Sequence, residues 1–508
     1  MKMRVLMKER HGCKMIRELF DKIINREDTR KNLIELKQLL KEENNKRAFL
    51  YYAGSELHLL CDLLKEEDAK IRKNAALIMG EIGQDSFLEL LMDAYESEEQ
   101  LFVKSSYLTA ISKLDFKKYN TKLKTYLNDL TNKEWPLESR KHVDEEIRIL
   151  TSMMLELEKP KFHKFVGYDK TMDVVLLTNR NHKDITLKQL EEVNKKEFNA
   201  GVIVRSTDLN KILKIRTFTE MLFLIKGMNS LNDKPTSIAE TISKSNLLTF
   251  LKQVHEGDSP FYFRIELKSK MELDKKSAFT KKIASELERL TKRELINSTS
   301  NYEIEIRLIA NKDGGYNTLL KLFTLKDTRF SYRKNSIANS IHPVNAALCA
   351  NLAKAYLEEE AQVLDPFCGV GTMLIERNKL APANPMYGID IYGDAIDMAR
   401  ENASLDKTII NYINRDFFDF KHEYLFDEII TNMPNAKGRK DDDDIKKLYH
   451  SFFNKIPEIL KENGIILLHV KDESMVQKEL KNCRFKLEKK WELSKKEETY
   501  FYVIRYIG

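Results

Sequence analysis

Three aspartates that each follow an apolar stretch are spaced as if they bind one ligand together. Asp365 ends the segment VLD, Asp390 ends YGID and Asp416 follows YINR. Each segment has the short apolar character of a buried strand. The carboxyl ends of neighbouring parallel strands meet at one edge of a sheet, where nucleotides bind in such folds. We therefore expect the three carboxylates to face the same ligand.

The turn after the first of these strands, DPFCGVGT, contains Gly369 and Gly371. Glycine adopts positive φ and lets the backbone approach a ligand closely. A dinucleotide-binding turn needs a third small residue, but Leu374 occupies that position. Asp365 would also repel a pyrophosphate, whereas a carboxylate suits a ligand with cationic and hydrogen-donating groups. These features favour S-adenosylmethionine, which carries a sulfonium, an amine and a ribose diol, over other nucleotides.

The second and third acids have expected partners on that cofactor. Asp390 comes 25 residues after Asp365, which suits an acid that accepts hydrogen bonds from a ribose diol. Asp416 is expected to accept from the adenine amino group, and Phe417 to cover the face of the ring. Solvated loop carboxylates are the alternative for each acid taken singly.

A fourth apolar segment, FDEIITNMPNAKG, ends in an unusual way. Its core run leads into Asn432, and Pro434 follows two residues later. Proline has a fixed φ and no N–H, so it cannot continue the ladder of a central strand. Two interpretations fit this pattern. The segment is either a turn that only ends the strand, or a turn that forms the lip of an active site.

The residues above must be positioned by the folded domains of the chain. A length of 508 residues predicts a multidomain chain of about three domains. From residue 335 to 508, strands and helices alternate, which predicts an α/β doubly wound, Rossmann-like sheet. A final strand reached through a hairpin would be antiparallel to the others. Residues 159–334 mix strands with helices, as in LKQLEEVNKKEF, and NKDGGYN joins two strands, which predicts α+β structure.

Residues 1–158 have helical periodicity and predict an all-α region. Two segments within it, EEDAKIRKNAALIMGEIG and EEQLFVKSSYLTAISKL, are similar to each other. Helical hairpins of this kind resemble HEAT-type repeats, which offer a surface to a protein partner. An ordinary helical bundle is the alternative.

Charge and composition limit the partners. The net charge is +7, and residues 160–334 carry 33 Lys and Arg against 22 Asp and Glu. A basic middle region is typical of a polyanion-binding segment, although a solvated lysine-rich surface would look the same. No apolar run reaches the ~18 residues of a membrane span, and no signal peptide is apparent. The five cysteines form no CxxC pair, so we expect free thiols, no bound metal and a cytoplasmic protein.

The segments VLDPFCGVGTMLIE, YGIDI and IITNMPN together resemble class I methyltransferases. More narrowly, they resemble the THUMP-domain RNA guanine-N2 methyltransferases. The resemblance extends upstream, where NAGVIVRSTDLNKILKIRTFTEMLFLI looks like the family's ferredoxin-like module and residues 261–333 look like a THUMP domain. Pro343 is placed to open the first methyltransferase helix. The helical region 1–158 lies outside the family's usual plan.

This resemblance implies S-adenosyl-L-methionine as cofactor and tRNA or rRNA as substrate, methylated at the exocyclic N2 amine of a guanine. It places the side-chain amide of Asn432 beside the methyl group, as acceptor for the target amine, while Pro434 holds the turn. The cofactor-binding residues that we predict are Asp365, Pro366, Cys368, Gly369, Gly371, Thr372, Asp390, Ile391, Asp416, Phe417 and Asn432. The predicted catalytic residues are Asn432, Pro434 and Asn435.

The motif departs from the family at two positions. Met433 replaces a proline, and Asn435 replaces the aromatic residue that usually stacks on the target base. Stacking is worth ~1–3 kcal/mol per base, so Asn435 is expected to weaken base capture unless Phe418, Tyr424 or Phe330 substitutes. A catalytically weak module that binds RNA or protein is therefore the alternative function, and methylation of amines in protein or DNA is a third.

The segment just before the methyltransferase region, RFSYRK, alternates cations with aromatics. This pattern suits a single strand of RNA that enters the active site through phosphate contacts and stacking. The predicted RNA-binding residues are Arg329, Phe330, Tyr332, Arg333 and Lys334. The alternative is a connector whose aromatic side chains pack between domains.

Overall fold

The computed structural model describes residues 14–158, 161–258, 260–435 and 442–508. The chain divides into two compact units. One comprises Met1–Phe162 and Ala284–Tyr302, and the other comprises His163–Ile283 and Glu303–Gly508. The predicted middle and methyltransferase regions thus belong largely to one unit, and the division at residues 158 and 334 stays a prediction.

Residues 14–158 are helical, as the periodicity predicts. The helices are α1 (14–24), α2 (Thr29–Leu39), α3 (Glu43–Ala53), α4 (His58–Asp62), α5 (Ala69–Ile82), α6 (Leu88–Ser97), α7 (Leu101–Ile111), α8 (Asn120–Asn132) and α9 (Leu137–Leu157). The two similar segments form α5 and α7. These helices approach closely at Gly80, where an added Cβ would lie 2.6 Å from the Cα of Ala110. HEAT-type organisation of this region stays a prediction.

The second unit begins with short strands and helices that build an antiparallel-rich sheet. Its elements are β1 (Lys164–Phe165), β2 (Met172–Thr178), α10 (Lys183–Gln189), β3 (Lys195–Phe198), β4 (Gly201–Ser206), α11 (Leu209–Ile212), β5 (Phe218–Leu224), α12 (Pro235–Ser243), α13 (Leu247–Val254), β6 (His255–Glu256) and β7 (Phe261–Lys268). Helix α14 (Leu273–Leu290) follows and crosses into the first unit, which also contains β8 (Leu295–Asn297). The chain then returns to the second unit with β9 (Ile304–Ala310) and β10 (Tyr316–Leu322).

Within this unit the strands lie in the order β3-β4-β2-β5-β10-β9-β7. Neighbours are antiparallel except β7 and β9, which are parallel. The hairpin predicted at Asp-Gly-Gly joins β9 to β10, with Gly314 at φ +82. One prediction is wrong. The segment 187–198 is not one helix, because α10 ends at Gln189 and residues 195–198 add an edge strand to β4.

The carboxyl-terminal part forms the predicted α/β sheet. Its elements are α15 (Pro343–Leu352), β11 (Val363–Asp365), α16 (Thr372–Leu380), β12 (Met386–Asp390), α17 (Gly393–Asp406), β13 (Asn411–Asn414), β14 (Phe426–Asn432), α18 (Asp442–Lys455), β15 (Leu460–Lys471), α19 (Glu473–Glu479), β16 (Phe485–Ser494) and β17 (Thr499–Tyr506). The strand order is β13-β12-β11-β14-β15-β17-β16. The first five strands are parallel, and β17 is antiparallel to β15, as the hairpin predicts.

Each face of this sheet buries its own apolar layer. One layer includes residues of α15, α16 and α17, such as Leu348, Met373 and Ile396. The opposite layer includes Tyr449 and Phe452 of α18. Because helices cover both faces, the open edge at the strand carboxyl ends is left for a ligand. Among the described residues, no helix is long and apolar enough to cross a membrane.

Candidate active site

A cavity of about 320 Å³ lies at the carboxyl ends of the parallel strands. Its walls come from the turns after β11, β12, β13 and β14 and from the segment before α15. The lining residues are Ile337, Asn339, Ser340, Ile341, Asp365, Pro366, Phe367, Cys368, Gly369, Val370, Thr372, Met373, Asp390, Ile391, Tyr392, Arg415, Asp416, Phe417, Phe418, Asn432, Met433, Pro434, Asn435 and Leu448. The structure thus brings together the residues predicted for cofactor binding and catalysis, with Gly371 just behind the wall.

The glycine turn makes room for a ligand by its backbone conformation. Gly369 and Gly371 have φ values of +52 and +81, which L-residues with side chains rarely adopt. A Cβ at Gly371 would lie 2.1 Å from the Tyr412 hydroxyl oxygen, so a larger residue cannot be accommodated there. Gly371 is the N-cap of α16, and the first turn of that helix therefore presents free N–H groups to an anionic group.

Two buried polar atoms beside this turn have no hydrogen-bond partner in the described structure. They are the Thr372 Oγ1, which lines the cavity, and the Tyr412 hydroxyl. Buried polar groups are normally paired, so Thr372 at the helix N-terminus has a free capacity that fits a ligand carboxylate. Cys368, one of the residues predicted to bind the cofactor, lines the cavity and packs with the apolar layer that includes Met373. Burial, with Asp365 and Asp390 nearby, raises the pKa of its thiol.

Asp390 is held firmly at the end of β12. Its Oδ2 accepts the Gly369 N–H at 2.9 Å, and its Oδ1 accepts the Tyr392 N–H at 2.9 Å. An ionised carboxylate has about four lone-pair sites, so two sites stay free for a diol. The same carboxylate thereby connects the glycine turn to the second strand end.

Asp365 is buried, with 1% of its surface exposed. Its Oδ1 accepts the Phe367 N–H at 3.1 Å. Burial raises the pKa of this carboxyl to about 7, and the charge of Asp390 adds to the rise. A buried acid next to a second acid favours a cationic ligand, because the ligand's charge would restore the ionised form.

The third acid and its neighbours differ in part from expectation. Asp416 Oδ1 accepts the Phe418 N–H at 2.9 Å, which orients the carboxylate at the cavity. Phe417, predicted to cover a ring, is 2% exposed and packs on Phe367 with ring centroids 5.8 Å apart. Its side chain packs in the core and also lines the cavity, so its role as the cover of the ring stays a prediction. Ile391, 60% exposed, offers a more accessible apolar face.

Asn432 ends β14 with its side-chain amide anchored at both ends. Its Nδ2 donates to the Asn339 carbonyl at 3.2 Å, and its Oδ1 accepts from His469 Nδ1 at 2.6 Å. Met433 is fully buried and packs with the apolar layer that includes Phe452. The proline expected at position 433 is therefore replaced by a core side chain.

The lip beyond Asn432 lacks the usual aromatic residue but has others nearby. Asn435 and Pro434 line the cavity together with Phe418, which is half-buried. Tyr424 lies elsewhere, with its hydroxyl 3.3 Å from that of Tyr387. Phe418 is thus the only substitute among the three aromatics weighed above that lines the cavity.

The linker residues predicted to bind RNA require a correction. Arg329 is 7% exposed, and its Nη1 donates to the carbonyls of Ile215 and Phe218 at 3.0 and 2.9 Å. Its guanidinium also lies 3.4 Å from the centroid of the Phe218 ring. A side chain with its donors engaged in the interior cannot contact phosphate. The connector interpretation is therefore correct for Arg329.

Of the two linker aromatics, Tyr332 is buried in the same way and Phe330 is half-buried. Tyr332 is 3% exposed and donates its hydroxyl to Glu376 Oε1 at 2.6 Å. Arg216 forms a bidentate pair with Glu376, at 2.7 Å for both contacts, and covers the Phe330 ring at 4.5 Å. These contacts hold the linker against α16, so Tyr332 is a packing residue rather than an RNA contact.

Three of the five linker residues, Phe330 among them, keep some access to solvent. Arg333 is half-buried, and its Nη2 donates to the Ile341 carbonyl at 3.3 Å. Lys334 is exposed, with its Nζ 3.7 Å from Glu401. A role in RNA binding stays a prediction for these three.

Substitution Arg329→Ala is expected to destabilise the second unit by about 2–4 kcal/mol, because it leaves buried carbonyls unpaired and breaks a partly buried ion pair. Urea unfolding measures the change. Lys334→Ala is the matched control, and its effect should stay within about 0.5 kcal/mol. Wild-type stability of Arg329→Ala, combined with a steep loss of RNA affinity, would contradict the packing role.

Sequence reasoning missed residues whose types gave no pattern. Tyr392, 71% exposed, and the exposed Arg415 line the mouth of the cavity. Tyr392 directly follows predicted Ile391, and Arg415 directly precedes predicted Asp416. Their position next to a predicted residue was the only feature of the sequence that could have indicated them. His469 and Asn339 reach the site from β15 and from the segment before α15, and no local motif marks them.

Comparison with known proteins identifies the type of fold. Residues 333–496 match the family model of the UPF0020, RMKL-like, methyltransferase domain. The protein MG259 of Mycoplasma genitalium is 36% identical over 90 residues, which is 17% of this chain and 20% of that relative's length. The match thus spans about a fifth of the curated relative.

Solved structures extend the similarity in fold. TrmN from Thermus thermophilus aligns with a TM-score of 0.52 and 16% identity, covering 66% of this chain and 100% of its own. SMU.472, a methyltransferase by its description and complexed with SAH, gives 0.51 and 13%, covering 67% and 98%. A predicted N6-adenine-specific DNA methylase from Listeria monocytogenes gives 0.50 and 16%, covering 66% and 96%.

The three solved structures each align with 66% or 67% of this chain, which is about twice the length of the region 335–508. The similarity in fold therefore also extends to residues before 335. The THUMP and HEAT-like assignments stay predictions. The carboxyl-terminal part of the chain has a methyltransferase fold, and the matches support S-adenosyl-L-methionine as its cofactor.

Proposed function

We propose that this protein methylates the exocyclic N2 amine of a guanine in structured RNA, either tRNA or rRNA, with S-adenosyl-L-methionine as methyl donor. The observation that carries the proposal is one cavity shared by three strand-end acids and the anchored amide of Asn432. The acids suit the cofactor, and the amide suits an amine substrate.

Each described feature of the cavity has a partner on the cofactor. The free Thr372 hydroxyl and the N-terminus of α16 suit its carboxylate, and buried Asp365 suits its cationic groups. Asp390 has free lone pairs for the ribose diol, Asp416 suits the adenine amine and Ile391 suits the face of the ring. Tyr392, exposed at the mouth, adds an aromatic surface beside it.

Methyl transfer in this site depends on positioning rather than on a strong base. The cofactor supplies an electrophilic methyl group on a sulfonium. The Asn432 oxygen accepts one N–H of the target amine, which turns the lone pair of that nitrogen toward the methyl for in-line attack. The nitrogen forms a bond to the methyl carbon, the carbon–sulfur electrons return to sulfur, and the amine releases its extra proton to water.

Two observations support RNA as the substrate class. They are the net positive charge of residues 160–334 and the similarity in fold to solved structures such as TrmN, which extends to residues before 335. The excess of cations in residues 160–334 suits a phosphate backbone. Arg415 adds a cation at the mouth of the cavity, and exposed Lys334 adds one in the linker before α15. We further propose that the helical region 14–158 binds a protein partner, as its resemblance to repeat helices implies.

Cofactor affinity is expected to rise about tenfold between about pH 6 and about pH 8, because ionised Asp365 binds a cation better than the neutral acid. The sign follows from the raised pKa. Without cofactor this carboxyl titrates at about 7, so below that pH binding must first release a proton. Calorimetry in buffers of different ionisation enthalpy measures this release. Asp365→Asn should bind weakly and without this dependence, and equal pH dependence in that variant would contradict the assignment.

A catalytically weak module that binds RNA or protein is the second candidate, and Asn435 is the observation that favours it. If the missing aromatic limits base capture, Asn435→Tyr should raise kcat/KM for RNA by roughly 5-fold to 150-fold, the effect of one stacking contact of ~1–3 kcal/mol. Cofactor affinity should stay constant, since Asn435 lies beyond Asn432. A variant as slow as wild type would show that another residue, such as Phe418, already supplies the stacking face.

Incorporation of label from methyl-labelled cofactor tests the proposed function. Purified tRNA, rRNA, duplex DNA and a protein extract are supplied in parallel, with Asn432→Ala as the control for transfer at this site. We expect label in an RNA fraction alone. Cofactor binding without incorporation into either RNA would favour the binding module, and label in DNA or protein would favour the third alternative.

A further inference from the structure

His469 lies directly beside Asn432 but outside the cavity wall. The two residues are paired in register across β14 and β15, and the Met433 N–H donates to the His469 carbonyl at 3.0 Å. Among the described residues that line the cavity, Asn432 is present and His469 is absent. His469 therefore reaches the cavity through Asn432.

The hydrogen bonds define the direction of each donor. The Asn432 Nδ2 faces the Asn339 carbonyl, which accepts only. The Asn432 oxygen must then face His469, so the proton between them belongs to the imidazole Nδ1 at 2.6 Å. His469 is 8% exposed. Burial, with Lys471 nearby, lowers its pKa to about 4, so the ring is neutral and carries a single proton at neutral pH.

We infer that His469 is a positioning residue, whose Nδ1–H fixes the Asn432 amide so that its second oxygen lone pair faces the target amine. This inference rests on the proposed function of Asn432. An amide held only through Nδ2 could rotate about its terminal torsion, which is broad for asparagine. With both ends held, the acceptor is aligned before the substrate arrives, which is the form of preorganisation that favours transfer.

The first test measures which nitrogen of the His469 imidazole carries the proton, and it does not require methyl transfer. Nitrogen-15 NMR of the histidine side chains distinguishes the Nδ1–H tautomer from the Nε2–H tautomer. We expect His469 in the full chain to be the Nδ1–H tautomer and to remain neutral to about pH 5. Substitution Asn432→Ala should release it from that tautomer. A wild-type His469 with Nε2–H would overturn the inference, whether or not the protein methylates RNA.

The second test separates positioning from binding. His469→Ala should lower kcat by roughly 10-fold to 100-fold, as loss of an orienting second partner typically does. The KM for RNA and the affinity for cofactor should stay within about twofold. His469→Gln, whose side-chain N–H can reach the same oxygen, should recover part of the rate and also guards against misfolding of the alanine variant.

A double substitution shows whether His469 acts through Asn432. If His469 acts through Asn432, His469→Ala should cause no further loss in an Asn432→Ala background. His450→Ala on α18, an exposed histidine, is the matched control and should equal wild type. If the wild type methylates RNA and His469→Ala has the same kcat, this inference is overturned and the proposed function is unaffected. Absence of turnover in wild type would refute the proposed function, and the tautomer would still decide the role of His469.

Discussion

Replacing Asn432 with alanine is expected to lower the rate of methyl transfer by roughly 10²-fold to 10³-fold, the usual effect of losing one preorganised hydrogen-bonding group in an active site. The substitution removes the acceptor for the target amine. It also removes the partner of both His469 and the Asn339 carbonyl. The cofactor remains as electrophilic as before, so the loss comes from orientation.

Single-turnover rates at saturating cofactor and RNA measure this effect, with cofactor affinity determined separately. Asn454→Ala, an exposed asparagine of α18, is the control for the substitution chemistry and should be as active as wild type. An Asn432→Ala variant with the rate of wild type would show that another group orients the substrate. Equal losses of rate and of cofactor affinity would show that Asn432 holds the cofactor instead.

Replacing Asp390 with alanine is expected to weaken cofactor binding by about 1.5–3 kcal/mol, or roughly 10-fold to 150-fold. The carboxylate has two functions in this account. It is the proposed acceptor for the ribose diol, and it accepts the backbone N–H groups of Gly369 and Tyr392. Its loss therefore removes a contact and loosens the glycine turn.

Calorimetry with S-adenosyl-L-methionine measures the change. Asp390→Asn keeps a carbonyl acceptor and should lie between the alanine variant and wild type. Asp397→Ala is the matched control, because Asp397 is exposed on α17, seven residues later, and pairs with Arg400. Unchanged affinity in Asp390→Ala would show that the diol is bound elsewhere.

The positions of the acids could be predicted because they depend on local patterns. Asp365, Asp390 and Asp416 each follow a short apolar run, and parallel strands must place such ends together. The role of Gly371 in the turn could be predicted equally well, since a positive φ at a strand-to-helix turn favours glycine. For the same reason the order of strands and helices from residue 335 onward agrees with the structure.

Features that depend on distant partners could not be read from the sequence. Arg329 and Tyr332 look like an RNA-binding pattern, yet Phe218 and Glu376, more than 40 residues away in the chain, bury them. Phe417 follows an acid at a strand end, but its ring fills the core below that end.

The same limit applies to His469 and to the segment 187–198. His469 acquires a role only through strand pairing with Asn432. Residues 195–198 have a helical composition and become a strand because the edge of β4 is open to them. In each case tertiary contacts override local preference.

The central claim is most directly tested by locating the transferred methyl group. RNA methylated by the wild-type chain with isotope-labelled cofactor is digested to nucleosides and analysed by mass spectrometry. The account predicts labelled N2-methylguanosine, and none when Asn432→Ala replaces the wild type. Label on a ring carbon, on a ribose or on a nucleoside without an exocyclic amine would contradict it, because the Asn432 amide is arranged to present an amine.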